Sequence, residues 1–341
     1  MTVSAFVDLT FLATLVAASI RIATPILFAA LGEAVSESAG VLNVGIEGMM
    51  VIGAVTGFLV SYSAGDQWLG FAAAFMAGAL AGLLFGYVTI ECGADQVLTG
   101  IVLNIFCFGL ASLVFKALFT TSGELPEIKT MAAWRIPWLS NFEFFGRAFF
   151  SQTPVVYIAF GLVPLFWFLL FRTQWGLKVR STGENPAAAE SAGVNVWALR
   201  LMVTMVGGAM AGVAGATLAI AQLGLYLDDM TAGRGFIALA LVVFGGWNPW
   251  RIAGASIIFG GAEALQLRLQ AIGVAVPHTL LLAVPYLLTI AAIAIFAGKA
   301  AYPAAMNLPY LRRRGPWRVV AETTAARSPS ATSSPESSAR P

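Results

Sequence analysis

Residues 165–221 read LFWFLLFRTQWGLKVRSTGENPAAAESAGVNVWALRLMVTMVGGAMAGVAGATLAIA. Two long apolar runs, LFWFLLF and LMVTMVGGAMAGVAGATLAIA, enclose the stretch STGENPAAAESAGVNV at 181–196. A run of about 20 mostly apolar residues is long enough to cross a bilayer as a helix. Repeated crossings of this kind make an all-α membrane bundle, because an isolated strand cannot satisfy its backbone in lipid. The polar stretch between the two runs reads as one short, soluble-looking helix, and its presence in so apolar a chain needs a reason.

The whole chain has the same apolar character. Hydrophobic residues make up 59% of its 341 positions and charged residues 11%, against about 25% charged in an ordinary soluble domain. Mean hydropathy is +0.83. One globular core could not hide so many apolar side chains from water. The net charge is +2 and most of the excess lies near the C-terminus, so no nucleic-acid partner is indicated. The single histidine, His278, follows Pro277 at the start of an apolar run. It argues against histidine-rich metal sites and histidine-based catalysis. Cys92 and Cys107 have neither zinc-site nor redox-pair spacing and read as two buried thiols. No metal site and no catalytic residue is expected.

Apolar runs fall near 8–30, 41–63, 68–90, 97–119, 154–172, 199–222, 234–247, 251–270 and 279–298. The expected fold is an all-α integral membrane protein, a polytopic helical bundle of about nine transmembrane helices, with bounds of about eight and ten. The run at 234–247 is short and reads as tilting little or forming part of a crossing. The N-terminal run lacks the positive flank of a cleaved signal peptide and reads as a retained first span. Small residues recur at four-residue spacing, as Gly53 and Gly57, Gly78, Gly82 and Gly86, and Gly208 and Gly212. That spacing lets membrane helices pack closely.

Domain organisation follows from charge and composition. Residues 1–300 read as the transmembrane domain and 301–341 as a basic, then disordered tail. Arg172, Lys178, Arg180 and Arg200 flank the loop 173–198, and Lys299, Arg312, Arg313, Arg314 and Arg318 follow the last run. Positive charge favours the cytoplasmic side, which puts both segments there and the N-terminus outside. The segment 120–153 then becomes an outer loop, although it carries Lys129, Arg135 and Arg147. Its Trp134, Trp138 and Phe-rich patch suit the membrane boundary.

Within the polar stretch, Asn185 is a good N-cap, Pro186 suits the first helical position and Gly193 supplies a left-handed stop. A helix over 186–192 is expected. It is far shorter than the roughly 12–15 residues needed to stand alone, so it must dock, either on its own chain as a connector or on another protein. The small side chains of Ala187, Ala188, Ala189 and Ala192 permit close packing into a groove.

Three blocks carry a resemblance. GENPAAAESAGVNV at 183–196 resembles the cytoplasmic coupling loop of ATP-binding-cassette importer permeases, in the branch serving simple sugars, nucleosides and branched-chain amino acids. EAVSESAGVLNVGIEGMMVIGA at 33–54 is similar to the first signature of that branch. MTAGRGFIALALVVFGGWNPWRIAGASIIFGGAEALQLRLQ at 230–270 looks most like the nucleoside-type permeases. The resemblance covers roughly residues 20–298. It implies a non-enzymatic translocation subunit in a bacterial inner membrane. Its partners would be an ATPase subunit, a second related permease (a homodimer is the alternative) and an extracytoplasmic solute-binding protein. The coupling residues would be Gly183, Glu184, Asn185, Pro186, Ala188, Ala189, Ala192 and Gly193. The substrate implied is a nucleoside, with a simple sugar such as ribose as the alternative. The chain has no GxxxxGK[ST] phosphate loop. It therefore binds no cofactor of its own, and ATP and magnesium belong to the partner.

Polar groups inside spans face the bundle interior or a water-filled path. Arg21 lies mid-span, where Glu33 or Glu47 is the expected ion-pair partner. Asn43 and Glu47 share one helical face among Gly40, Gly45 and Gly48, which signals a broken or closely packed helix. Glu263, Gln266 and Gln270 form one stripe, and Asn104 and Gln222 add amides on other spans. Asn43, Glu47, Asn104, Gln222, Glu263 and Gln266 are the substrate-path candidates. The same groups can instead stitch helices together. Asp95 and Gln96 read as an N-cap and a first-turn residue, and Asp228 and Asp229 as part of an outer loop. An ion-coupled transporter, with Glu47 and Glu263 as ion ligands, is the competing class. The capped cytoplasmic helix speaks against it.

Overall fold

The long apolar runs among the described residues form the helices that a backbone needs in lipid. The computed structural model describes residues 9–119, 126–135, 145–272 and 302–308, with single positions 137, 283, 287, 291 and 310. Residues Met1–Pro309 form one unit and Tyr310–Pro341 a second. In the first unit, α1 runs Leu9–Ser38, α2 Ile46–Ala64, α3 Gln67–Gly86 and α4 Gln96–Phe119. A short α5, Phe145–Phe149, precedes α6, Pro154–Arg172. Then come α7 (Gln174–Glu184), α8 (Pro186–Ser191), α9 (Val196–Ala216), α10 (Arg234–Gly245) and α11 (Pro249–Ile272). Both α3 and α9 continue into π-helical turns, Tyr87–Glu91 and Thr217–Leu223. One small antiparallel ladder pairs β1, Trp134–Arg135, with β2, Ser151–Gln152.

Among the described residues, 6 helices are long and apolar enough to cross a membrane. The 24-residue α11 is long enough but carries more polar side chains. The 12 residues of α10 rise only about 18 Å at 1.5 Å per residue, short of a hydrocarbon core about 30 Å thick. Its sequence is thus part of a crossing, which the irregular segment 224–233 leads into. The expected run at 279–298 and the basic cluster at 312–318 lie outside the described residues, as does His278. The expected count of about nine therefore goes beyond what these helices establish.

Glycine decides how closely the helices stack. The α3–α9 and α2–α9 pairs touch backbone to backbone: a Cβ on Gly53 would strike the Gly212 backbone, and one on Gly78 would strike the Gly208 carbonyl. Without a hydrophobic force between helices in lipid, such close van der Waals contact is the main source of association. As a result α9 is the most enclosed span, with 83% of its apolar window buried, and α4 the least, with 28%. The outer faces of α3 and α4 present Met76, Leu80, Leu98, Ile101, Ile105 and Leu113. These are side chains suited to acyl chains.

The ends of the helices sort into two sides. On one, the Gln67 amide donates to the Lys129 carbonyl, the Ile128 N–H to Gly224 O at 2.8 Å and Gln152 Nε2 to Ala17 O at 3.4 Å. On the other lie Ser38, α7, α8 and 302–308, joined by the Ala305 N–H to Gly183 O bond at 2.8 Å. The second side, which carries Lys178, Arg180 and Arg200, is the one expected to be inner.

One expectation needs correcting here. Cys107 is buried but Cys92 is exposed, because the helix ends at Glu91 and Gly93, at φ +69, turns the chain at the boundary. Asp95 caps α4 as read, accepting from the Leu98 N–H at 2.8 Å.

Gly212→Val places a branched side chain against the Ala74 carbonyl and the Gly78 Cα. Overpacking of this kind costs about 1–3 kcal/mol or more. The variant is expected to give a lower melting temperature and less monodisperse protein on size-exclusion chromatography in detergent. Gly109→Ala, which meets nothing within 4 Å, should match the wild type.

Candidate functional site

The polar stretch folds as its capping signals dictate. Asn185 Oδ1 accepts from the Ala188 N–H at 3.0 Å, and Pro186 opens the six-residue α8. Gly193 adopts φ +86, so its N–H reaches Glu190 O at 2.9 Å and the Val194 N–H reaches Ala189 O at 3.0 Å. A second cap follows at once: Asn195 Oδ1 accepts from the Ala198 N–H at 3.2 Å and starts α9. Of the eight predicted coupling residues, Glu184, Asn185, Ala188, Ala192 and Gly193 are exposed, Pro186 is half-buried, and Gly183 and Ala189 are buried. The helix sits on its own chain through Ala189 and offers a face of small side chains outward.

Its seat is the inner end of α1. Gly183 packs against the Ser38 carbonyl, where a Cβ would not fit. Residues 302–308 then cross this end as a strap. Ala305 N–H donates to Gly183 O at 2.8 Å and Asn307 N–H to Gly40 O at 3.2 Å. The buried Arg200 on α9 donates from Nε to Ala39 O at 3.0 Å and from Nη1 to Leu308 O at 3.2 Å. Trp247 stacks edge-on against Tyr302 and donates to Glu37 Oε2 at 2.7 Å. The sequence shows Arg200 only as a positive charge near a helix end, and 302–308 has no periodicity to mark it. Beneath the strap lies a cavity of about 440 Å³ lined by Glu37, Leu42, Tyr302 and Met306 among others.

Between α1 and α2 the helix breaks at 39–45. Buried backbone amides need acceptors there, and side chains supply them. Glu33 Oε1 accepts from the Asn43 N–H at 2.9 Å and Gln96 Oε1 from the Leu42 N–H at 2.7 Å. Asn104 Oδ1 accepts from the Gly48 N–H at 2.7 Å while its Nδ2 donates to Val44 O at 3.0 Å. Asn43 Oδ1 accepts from the Gly45 N–H at 3.1 Å. Asn43 and Asn104, both substrate-path candidates, thus hold the break together in this conformation.

Glu47 reaches a different element. Its two oxygens accept the Gly233 and Gly235 N–H groups at the start of α10. A carboxylate is well matched to the positive end of a helix. The intervening Arg234 pairs with Glu263 on α11. So Glu47 and Glu263 converge on one turn, and Gln266 is buried one turn further along α11.

A cavity of about 460 Å³ opens near the outer side, lined by Arg21, Thr24, Thr130, Thr217 and Gln222 among others. Gln222 Nε2 donates to Arg21 O at 2.8 Å. The cavity includes part of the π-helical stretch Thr217–Leu223, a distortion that often accompanies functional sites. The expected Arg21 ion pair does not form: Glu33 Oε1 and both oxygens of Glu47 accept backbone amides elsewhere, and Arg21 is exposed into the cavity, with Nε 3.4 Å from Ala17 O.

These features define a polytopic membrane protein whose exposed, capped helix is seated on the inner end of its bundle. A model of the family described as "Branched-chain amino acid transport system / permease component" matches residues 15–293, and the chain belongs to that family. It is 34% identical over 300 residues to the "Nucleoside ABC transporter permease protein NupC" of Lactococcus lactis subsp. cremoris, covering 85% of this chain and 94% of that one. It is 35% identical over 316 residues to the "Guanosine ABC transporter permease protein NupQ" of Bacillus subtilis, covering 88% and 97%. It is 37% identical over 272 residues to the "Putative glucose ABC transporter permease protein TsgC13" of Haloferax volcanii, covering 78% and 81%.

Glu47→Gln tests the carboxylate clamp. Glutamine has one acceptor oxygen and an amide donor, so one of the Gly233 and Gly235 N–H groups loses its partner. A buried unsatisfied donor costs about 1–3 kcal/mol. The variant should unfold at a lower temperature in a detergent melt, and an unchanged melting curve would remove the clamp from the account.

Proposed function

We propose that this chain is the nucleoside-translocating permease subunit of an ATP-binding-cassette importer in a bacterial inner membrane. The observation that carries the reading is the near full-length similarity, at 34–35% identity, to two permeases named for nucleoside and guanosine transport. The outward-facing α8 supports it, since a short exposed helix of small side chains fits a groove on another protein. A separate ATPase subunit would bind ATP and magnesium and press on α8. A second, related permease would complete the path, with a homodimer as the alternative arrangement. An extracytoplasmic binding protein would deliver the substrate. The glucose-named relative favours a sugar as the second reading.

The geometry suggests how force would travel. Motion of α8 acts on Gly183, which is bonded to Ala305 and packed on Ser38. The strap and Arg200 tie the same point to Ala39, Gly40 and Leu308. A push on the helix therefore reaches the inner end of α1 and the cavity beneath the strap. The outer and inner cavities, of about 460 and 440 Å³, lie at opposite ends of the bundle. Alternating access would open one as the other closes. The substrate-path candidates Asn43, Glu47, Asn104, Glu263 and Gln266 would act in this scheme by holding and releasing the break at 39–45 and the start of α10, and Gln222 would meet the substrate.

Ala188→Arg puts a long cation on the exposed face of α8 without disturbing the Asn185 cap. In cells carrying the complete transporter, the variant should reach the membrane normally, lose the ATPase subunit on purification and lose ATP-driven uptake of labelled nucleosides by at least about tenfold, which corresponds to about 1.4 kcal/mol of lost contact. Uptake that survives the substitution and follows an ion gradient would sink the importer reading. Uptake of glucose or ribose in place of nucleosides would favour the sugar reading.

A further inference from the structure

Arg21 lies within the long span α1 and has no carboxylate partner among the described residues. It lies about 18 Å along α1 from Leu9, at 1.5 Å per residue, well inside the apolar span Thr10–Ser38. A charge there opposes insertion unless it meets water or a ligand. Its Nε lies 3.4 Å from Ala17 O, and its two Nη groups meet no protein acceptor among the described residues. They face the outer cavity.

The other walls have a complementary character. Thr24 and Thr217 spend their hydroxyl protons on their own helices, each at 2.8 Å, to Ile20 O and Val213 O. Both side chains are buried, at 0% and 2% exposure, so they shape the wall, and the polar side chains open to a ligand beside Arg21 are Gln222 and Thr130. Gln222 spends Nε2 on Arg21 O, which leaves Oε1 as an acceptor. Among the described residues no aspartate or glutamate lines the cavity, so none of them would receive the ammonium of an amino acid. The volume of about 460 Å³ falls within the range of small-molecule sites, about 300–1,000 Å³. The ligand that fits has two coplanar acceptors at one end and hydroxyl donors at the other.

We propose that this cavity is a base-reading subsite for 6-oxopurine nucleosides, in which the Arg21 guanidinium donates to O6 and N7 of the base while Gln222 Oε1 and the exposed Thr130 hydroxyl meet the ribose hydroxyls. The proposal rests on the nucleoside reading above and adds a choice of base to it. Guanine and hypoxanthine present O6 and N7 side by side, the pair that an arginine fork meets with two hydrogen bonds. Adenine puts an amino donor where O6 would be, facing another donor. Lysine is a point donor and cannot reproduce the planar fork.

The test uses the assembled transporter in proteoliposomes, with ATPase, mate and binding protein. Uptake of guanosine, inosine, adenosine and 7-deazaguanosine is compared, each corrected for its affinity for the isolated binding protein. Arg21→Gln should lower guanosine and inosine uptake about tenfold or more, within the roughly 5–150-fold worth of a bidentate pair, and lower adenosine uptake, which has only N7 to lose, by a clearly smaller factor. Arg21→Lys should not restore the difference. Wild-type transporter should carry 7-deazaguanosine, which lacks the N7 acceptor, markedly more slowly than guanosine, and this arm needs no variant to fold. Equal loss for every nucleoside overturns the proposal and makes Arg21 a shaping residue, and no loss overturns it outright. Competition by guanosine 5′-monophosphate stronger than by guanosine would make the cavity an anion site and overturn it as well. If wild-type protein carries no nucleoside at all, both the proposed function and the subsite fall. If it carries them without regard to Arg21, only the subsite falls.

Discussion

A backbone that stops being helical inside a membrane must find its hydrogen-bond partners within the protein, because lipid offers none. Among the described residues this chain stops at 39–45 and at 224–233. Several of the carboxylate and amide side chains in its spans answer that demand. Glu33, Gln96 and Asn104 accept the amides of the first break, from α1 and α4. Glu47 accepts the amides that open α10. Each bond joins two helices, so the breaks and their partners set how α1, α2, α4 and α10 sit together. The glycine contacts among α2, α3 and α9 do the same for the enclosed side of the bundle by a different force, close packing in place of polar pairing.

The same demand links the first break to the short capped helix α8. Ala39 and Gly40 end α1 with carbonyls that no helical turn can satisfy, and these are taken by Arg200 Nε and the Asn307 N–H. The strap that supplies Asn307 also supplies Ala305, whose N–H holds Gly183 two residues before the N-cap of α8. A helix of six residues cannot hold itself in place. Here its position follows from the unfinished hydrogen bonding at the end of α1, and that is why a push on α8 would be felt there.

What could be read from the sequence, and what could not, divides along the same line. The start and stop of α8 depend on Asn185, Pro186 and Gly193, all local, and they were legible to within a residue. The spans α1 to α4, α6 and α9 follow from hydropathy, and the short run at 234–247 was readable as an incomplete crossing. Pairing between spans was not legible. Periodicity places Arg21, Glu33 and Glu47 on faces but gives no register between helices, so the expected ion pair was the wrong one. The amides that Glu47 binds lie on backbone 186 and 188 residues away, and a backbone N–H leaves no mark in a sequence. The strap at 302–308 was invisible for a related reason: its contacts are made by main-chain groups.

The carboxylates also bear on how the protein would be driven. An ion-coupled transporter would need Glu47 and Glu263 to present oxygens to a cation or proton. Both oxygens of Glu47 accept backbone N–H groups, and an Oε1 of Glu263 is held by Arg234. Arginine stays protonated at any physiological pH, so protonating Glu263 would leave a buried cation without its counter-charge. Binding a metal cation there would bring two positive charges together. Either event opposes the arrangement that holds α10 against α2 and α11. The two carboxylates are thus committed to structure in this state, and a driving force has to enter elsewhere. The place where the fold exposes a rigid, capped and firmly seated element is α8, on the side with the positive loop charges, where an ATPase subunit would meet it.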